Sequence, residues 1–331
     1  MATRYNNELN STALAGRRVC VLGFGAQGSA QAMNLRDSGV DVVIGLRKES
    51  VRRRAAEQAG LRVLDPVEAI AGSDVIVMLV PDAVQPEVYS DIETALRPSA
   101  CLLFAHGYSI RYRRIVPRAD LDVVMVAPMG IGEQVREVYA RGAGVPALLA
   151  VHQDASGNAR SLAEAYAHAN GHGHAGVIET TFAEETETDL FAEQAVLCGG
   201  MNHLVTMAFD TLVEAGYQPE VAYFCCLHEV RFIAEMVQRK GIAGMRESIS
   251  LVAEYGDYTR GPKIVGEASR DAMRAALADI RDGRFAAELD DEIRKNTPVV
   301  ESGREAARRH LIEKVGTQLR ARMDWLKKES K

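Results

Sequence analysis

The sequence predicts a doubly wound α/β domain followed by an all-helical domain, in a chain of 331 residues. Three observations carry that prediction. Short β-branched runs alternate with helical segments up to about residue 182. A glycine-rich hexapeptide, "GFGAQG", closes the first of those runs. Beyond residue 183 the apolar residues recur only at helical spacing.

Taken in order, the runs are "RRVCVLGFG" (17–25), "VDVVIGLR" (40–47), "SDVIVMLVP" (73–81), "SACLLFAHG" (99–107), "LDVVMVAP" (121–128), "VPALLAVHQ" (145–153) and "AGVIETTF" (175–182). Each ends at Gly, Pro or a polar turn. Near-continuous apolar strands separated by helices argue for a parallel sheet covered on both faces. Apolar residues at 190, 191, 197, 201, 204, 205, 208, 209 and 212 then follow a helical period, and the chain reads helical almost to its end. The expected domains are therefore 1–182 and 183–331.

Composition bounds the function. Hydrophobic content of 47% and charged content of 25% suit a globular protein, and a net charge of −6 gives no reason to expect nucleic acid. The one short basic cluster, "RYRR" (111–114), reads as a solvated turn. Five cysteines without regular spacing do not make a disulfide framework and fit a reducing compartment. No signal peptide opens the sequence and no 18 apolar residues run together, so no membrane partner and a cytoplasmic location are expected.

"GFGAQG" spans Gly23, Phe24, Gly25, Ala26, Gln27 and Gly28, after a strand and before a helix. That placement suits a Rossmann-like dinucleotide site. Gly23 makes the tight turn, Gly25 lets the backbone approach a pyrophosphate, and Gly28 lets the helix pack closely, with the helix N-terminus facing the phosphates. The second run ends "IGLRKES", with Arg47, Lys48 and Ser50 around a single Glu49. An NAD site would place an acid at this point to hold the ribose; cations and a hydroxyl suit a 2′-phosphate, so NADPH is expected, with NADH as the alternative.

"EETETDLFAE" (184–193) puts five carboxylates into ten positions and runs into a long apolar helix. Asp189 and Glu193 are four apart and share one helix face. The residues alone leave two roles open, stabilisation of a helix N-terminus or metal binding.

Four longer stretches, "AHGYSI" (105–110), "ETETDLFAEQAVLCGG" (185–200), "LVEAGYQPEVAYFCCLHE" (212–229) and "SISLVAEYGDYTRGP" (248–262), resemble ketol-acid reductoisomerase. The likeness covers nearly the whole chain, in order. It implies reduction and rearrangement of acetolactate-type substrates in branched-chain amino acid synthesis, with NADPH and two Mg²⁺ ions. It also implies a knotted helical domain, one per chain at this length, so that a homodimer or higher homo-oligomer completes each active site. By the same resemblance Asp189 and Glu193 are metal ligands, and Glu229 belongs to a second acidic pair supplied by the partner. Ser250 binds the substrate, and His106 lies at the mouth of the active site, where it is grouped with Pro81 among the cofactor contacts.

Two positions depart from the family. Where it has an essential lysine after Ala-Pro, this sequence has Met129, in "APMGIGE"; where it has a glutamate partner for Glu229, this sequence has Cys225. A thioether neither carries charge nor exchanges a proton, whereas alkyl migration needs an alkoxide stabilised by fixed charges. The nucleotide motif is intact. The sequence therefore predicts an NADPH-dependent reductase acting on a small 2-oxo acid-like carbonyl or an imine, with isomerisation lost or impaired. Two alternatives stay open: a working Mg²⁺-dependent reductoisomerase, and a non-catalytic nucleotide-binding scaffold. Cys225 itself reads either as a small space-filling side chain or as a ligand for a softer metal such as Zn²⁺.

Overall fold

A computed structural model describes residues 3–323. Its sheet contains β1 (Thr3–Arg4), β2 (Arg18–Leu22), β3 (Asp41–Gly45), β4 (Arg62–Leu64), β5 (Val75–Met78), β6 (Cys101–Phe104), β7 (Asp122–Pro128), β8 (Ala147–Gln153) and β9 (Val177–Glu179). The spatial order is β1-β9-β8-β7-β6-β5-β2-β3-β4. All seven expected strands are present. The sequence reading missed β1, only two residues long, and β4, three residues with an exposed arginine at its start.

The sheet is mixed, which corrects the all-parallel expectation. β2 to β7 run parallel to their neighbours, but β8 is antiparallel to β7, and β1 is antiparallel to β9. The cause lies in the helix Gly132–Ala140 between β7 and β8. It docks on the helix Ala26–Asp37, where Arg136 reaches Asn34 Oδ1 at 2.8 Å and Asp37 Oδ2 at 2.6 Å. The chain therefore re-enters the sheet from the edge it left, with Ala147 opposite Pro128. A strand buried on both faces carries the same apolar pattern in either direction, so the sequence held no sign of this reversal.

Alternate residues of each central strand feed two cores. Val19, Val21, Val75, Val77, Leu103, Val124 and Val126 pack on one face. Cys20, Leu22, Ile76, Met78, Leu102, Phe104 and Met125 pack on the other. Both faces are covered, as a doubly wound domain requires.

The chain divides into two compact units, one ending at Thr188 and one beginning at Asp189. Among the described residues the second unit contains helices and no strand. Phe209, Ala222, Tyr223, Ile312 and Val315 form its small core, while Leu197, Met207, Leu251, Val252, Tyr255 and Ile264 are exposed in the single chain. The helical run Phe182–Glu214 contains a window apolar enough to cross a membrane by length and composition alone, although no 18 apolar residues run together in it.

Candidate functional site

The glycine-rich turn follows β2. Gly23 takes φ +104°, and a Cβ there would lie 2.5 Å from the Leu79 carbonyl oxygen. A Cβ on Gly28 would lie 2.5 Å from the Gly23 carbonyl oxygen, so the helix packs directly on the turn. Gly25, at the N-cap of the helix Ala26–Asp37, has open space where its Cβ would stand. The first and third glycines are thus required by backbone packing. The middle one leaves a gap beside free helix N–H groups, which fits a pyrophosphate.

The turn lies where the strand order reverses between β2 and β5, the crevice position of an open α/β sheet. Chain segments from β5, β6 and β7 reach the same edge. Pro81 is exposed just beyond β5. Gln85, buried after it, donates from Nε2 to Asp82 Oδ1 at 3.1 Å and to the Val80 carbonyl at 3.2 Å, and accepts from Ser109 Oγ at 2.7 Å. Burial raises the Asp82 carboxyl above the usual carboxylate range, with His106 pulling it down and Glu185 pushing it up.

Beyond β6 stands His106, whose Nδ1 lies 2.9 Å from Glu185 Oε1. The second oxygen of Glu185 accepts the Gly107 N–H at 2.8 Å. Glu185 is only 3% exposed. It comes from the helix Phe182–Ala192, whose start is capped by the Thr181 hydroxyl accepting from the Glu184 N–H at 3.0 Å. Gly107 is needed here, because a Cβ would meet the Phe182 carbonyl oxygen at 2.7 Å and the Thr186 hydroxyl. Sequence reasoning passed over Glu185. The signal was present, since Glu185 and Asp189 have the same four-residue spacing as Asp189 and Glu193.

Asp189 sits one turn beyond Glu185 on that unbroken helix, and His106, Glu185 and Asp189 offer ligand atoms within 4.8 Å of one another. The acids in the first helical turn are Glu184 and Glu185, so stabilisation of the helix N-terminus falls to them and not to Asp189. Glu193 and Glu229 are not part of this three-residue group. Both stand at π-helical turns: Glu193 opens Glu193–Leu197, and Glu229 follows Phe224–His228, the turn that contains Cys225. Such turns are frequent at functional sites. Carboxylate oxygens suit Mg²⁺; the thiol does not. Cys225 is exposed in the single chain. Ser250 caps the helix Leu251–Ile264, accepting from the Ala253 N–H at 3.3 Å.

At the end of β3, Arg47 lies 3.8 Å from Glu87 and Lys48 lies 3.6 Å from Asp65, in both cases with the cation largely exposed. The Ser50 hydroxyl accepts from the Arg52 N–H at 3.3 Å. Arg53 turns back to the Leu46 carbonyl and Asp65, so it serves the fold.

Met129 follows β7 and is 51% exposed. Its loop is held on the dinucleotide turn. Gln27 Nε2 donates to the Gly130 carbonyl at 2.9 Å, and a Cβ on Gly132 would collide with the backbone of Ala26. "RYRR" is more than a solvated turn: Arg111 pairs with Glu187 at 2.8 Å, and Arg114 lies over the Tyr108 ring at 4.6 Å.

Comparison with known proteins identifies this arrangement. The profile of the acetohydroxy acid isomeroreductase NADPH-binding domain matches residues 13–176, and that of the ketol-acid reductoisomerase C-terminal domain matches residues 182–325. The chain is similar to the structure of an NADH-preferring ketol-acid reductoisomerase from an uncultured archean. The two are 41% identical with a TM-score of 0.95, over 97% of this chain and 99% of that one. A semialdehyde dehydrogenase NAD-binding protein from Cupriavidus necator shares the fold at 18% identity and a TM-score of 0.61, over 80% of this chain and 99% of that one. An oxidoreductase structure from Jannaschia sp. does so at 17% and 0.60, over 82% and 98%.

The glycine geometry separates binding from stability. Gly25→Asp puts a favourable N-cap carboxylate into open space, so its melting temperature should match or exceed the parent's, while nucleotide affinity falls by about tenfold or more. Gly28→Val forces a side chain into backbone and should cost about 1–3 kcal/mol of stability. Thermal melts and fluorescence titration with NADPH check both; a Gly25→Asp variant that binds as well as the parent would move the pyrophosphate elsewhere.

Proposed function

Because the chain belongs to the ketol-acid reductoisomerase family and is an NAD(P)H-dependent oxidoreductase, we propose that it reduces a small 2-oxo acid-like carbonyl or an imine, with the family's isomerisation step lost or impaired. One observation carries this reading. Met129 stands on a loop anchored to the dinucleotide turn, at the position where the resemblance calls for an ammonium group. Cys225 removes a carboxylate as well. The scaffold alternative falls with the family's enzymatic nature.

In this reading the turn at Gly23, Gly25 and Gly28 holds the pyrophosphate, and Phe24, Ala26, Gln27, Pro81 and His106 border the nucleotide. Bound NAD(P)H supplies the hydride. His106, held through Nδ1 by Glu185, is assigned to the oxygen or nitrogen that gains charge as hydride arrives. Glu185 fixes that ring by bonding the Gly107 N–H at the same time. The carboxylates fit Mg²⁺: Asp189 with Glu185 beside it, and Glu193 and Glu229 as further ligands that the resemblance implies. When bound, Mg²⁺ polarises the acceptor oxygen. Ser250 is assigned to the substrate.

Retention of Asp189, Glu193, Glu229 and Ser250 favours a second reading, a working reductoisomerase. The deciding experiment follows NADPH oxidation with 2-acetolactate and, separately, with the already rearranged 3-hydroxy-2-oxo acid, with and without Mg²⁺. The parent should reduce the second and hardly turn over the first. Met129→Lys combined with Cys225→Glu should raise acetolactate turnover by about 100–1000-fold, more than either change alone. Acetolactate turnover by the parent at an ordinary metabolic rate would establish the second reading.

Arg47, Lys48 and Ser50 support NADPH over NADH, by about tenfold or more in affinity. The similar archean structure is described as NADH-preferring, so titration with both cofactors decides the point. Equal affinities would hand control of the pocket to Glu49.

The apolar surface of the helical unit supports a homodimer or higher homo-oligomer, in which the exposed helix faces are buried against a second copy and not in a membrane. The same reading makes this a cytoplasmic enzyme that binds neither nucleic acid nor lipid. Sedimentation on dilution should show no active monomer; a stable monomer that still turns over would end this model.

A further inference from the structure

The segment 111–114 takes no part in the chemistry above, yet its conformation is unusual. The helix Tyr108–Arg111 ends in a turn where the N–H groups of Arg114 and Ile115 both return to the Ser109 carbonyl, at 2.9 and 3.1 Å. That turn puts Arg113 at φ +53°, in the left-handed region. Glycine makes such a helix end without strain, and a Cβ there is disfavoured. A guanidinium occupies it nonetheless. Arg113 is exposed and, among the described residues, has no side-chain hydrogen bond or ion pair.

Arg113 lines a cavity of about 470 Å³. Ile110, Ile115, Pro117 and Phe182 provide apolar wall. The volume falls in the range of small-molecule sites, about 300–1,000 Å³. Charge inside the cavity nearly cancels except at one point. Arg111 is balanced by Glu187. His152 packs edge-on against Phe182, ring centroids 5.5 Å apart, and burial holds its pKa below the usual histidine range, so it is neutral at neutral pH. Arg113 remains as a single uncompensated cation over apolar wall.

We propose that this cavity binds a small monocarboxylate with a compact branched or aromatic body, with Arg113 taking the carboxylate and the wall taking the body. A singly charged anion matches one guanidinium, and a carboxylate meets its planar fork with two parallel hydrogen bonds. The cavity shares its framework with the His106–Glu185 pair. Phe182 begins the helix that carries Glu185, and Ile110 lies on the helix that follows His106 and Gly107. A ligand here therefore touches both elements that hold the pair, which makes the site a place for an effector.

The test uses the full chain saturated with NADPH and a direct binding readout, calorimetry supported by saturation-transfer NMR. The probes are isovalerate and phenylacetate, with isovaleramide and phenylacetamide as neutral counterparts. The carboxylates should bind, and the amides should bind about tenfold more weakly or less. Arg113→Gly and Arg113→Asn both remove the cation and suit the left-handed turn, so they should melt no lower than the parent while carboxylate binding falls by about tenfold or more. Arg113→Lys keeps the charge without the fork and should bind more weakly than the parent but more tightly than the two neutral variants. Absence of carboxylate binding up to about 10 mM, equal binding of the amides, or binding that survives both Arg113→Gly and Arg113→Asn would overturn the proposal.

Discussion

A buried carboxylate organises the carboxyl edge of the sheet. Glu185 spends one oxygen on the His106 ring and the other on the Gly107 N–H, so the end of β6 and the helix Phe182–Ala192 are fastened by the same side chain. Hydrogen bonds to a charged group are worth about 1.5–3 kcal/mol each, and a buried carboxylate without them carries a desolvation penalty of similar or larger size. The arrangement also needs the absence of a side chain at Gly107, because the helix backbone occupies the space a Cβ would take. The first turns of that helix, as far as Thr188, inherit their position from this contact.

The same economy of space recurs around the nucleotide turn. Gly28 brings the first helix onto the turn, and Gly132 brings the loop after β7 onto the backbone of Ala26. Backbone packed on backbone leaves little freedom, so Met129 is displayed from a fixed loop. Gln27 and Gly132 pin that loop from its two sides.

The helical unit follows a different logic. Its own core is small, and large apolar side chains stand exposed along several helices. Among the described residues, π-helical turns interrupt its helices beside Glu193 and Glu229, where regular helical geometry would have set the side chains differently.

The sequence by itself determined the fold class, seven of the strands and the dinucleotide turn, because each rests on local pattern: near-continuous apolar runs, glycines at fixed offsets, and a helical period beyond residue 183. The family was equally legible, in long stretches that keep Asp189, Glu193, Glu229 and Ser250, and the family profiles bear it out. Tertiary structure alone decided the rest. The direction of β8 depends on where the helix Gly132–Ala140 docks, and a strand apolar on both faces reads alike either way. Glu185 was hidden beside four neighbouring acids, since what distinguishes it is burial against Gly107, a residue 78 positions earlier. "RYRR" looked like a solvated turn because charge is legible in a sequence and a left-handed backbone at Arg113 is not. Local chemistry is written in neighbouring residues; burial and partnership arise only when distant segments meet.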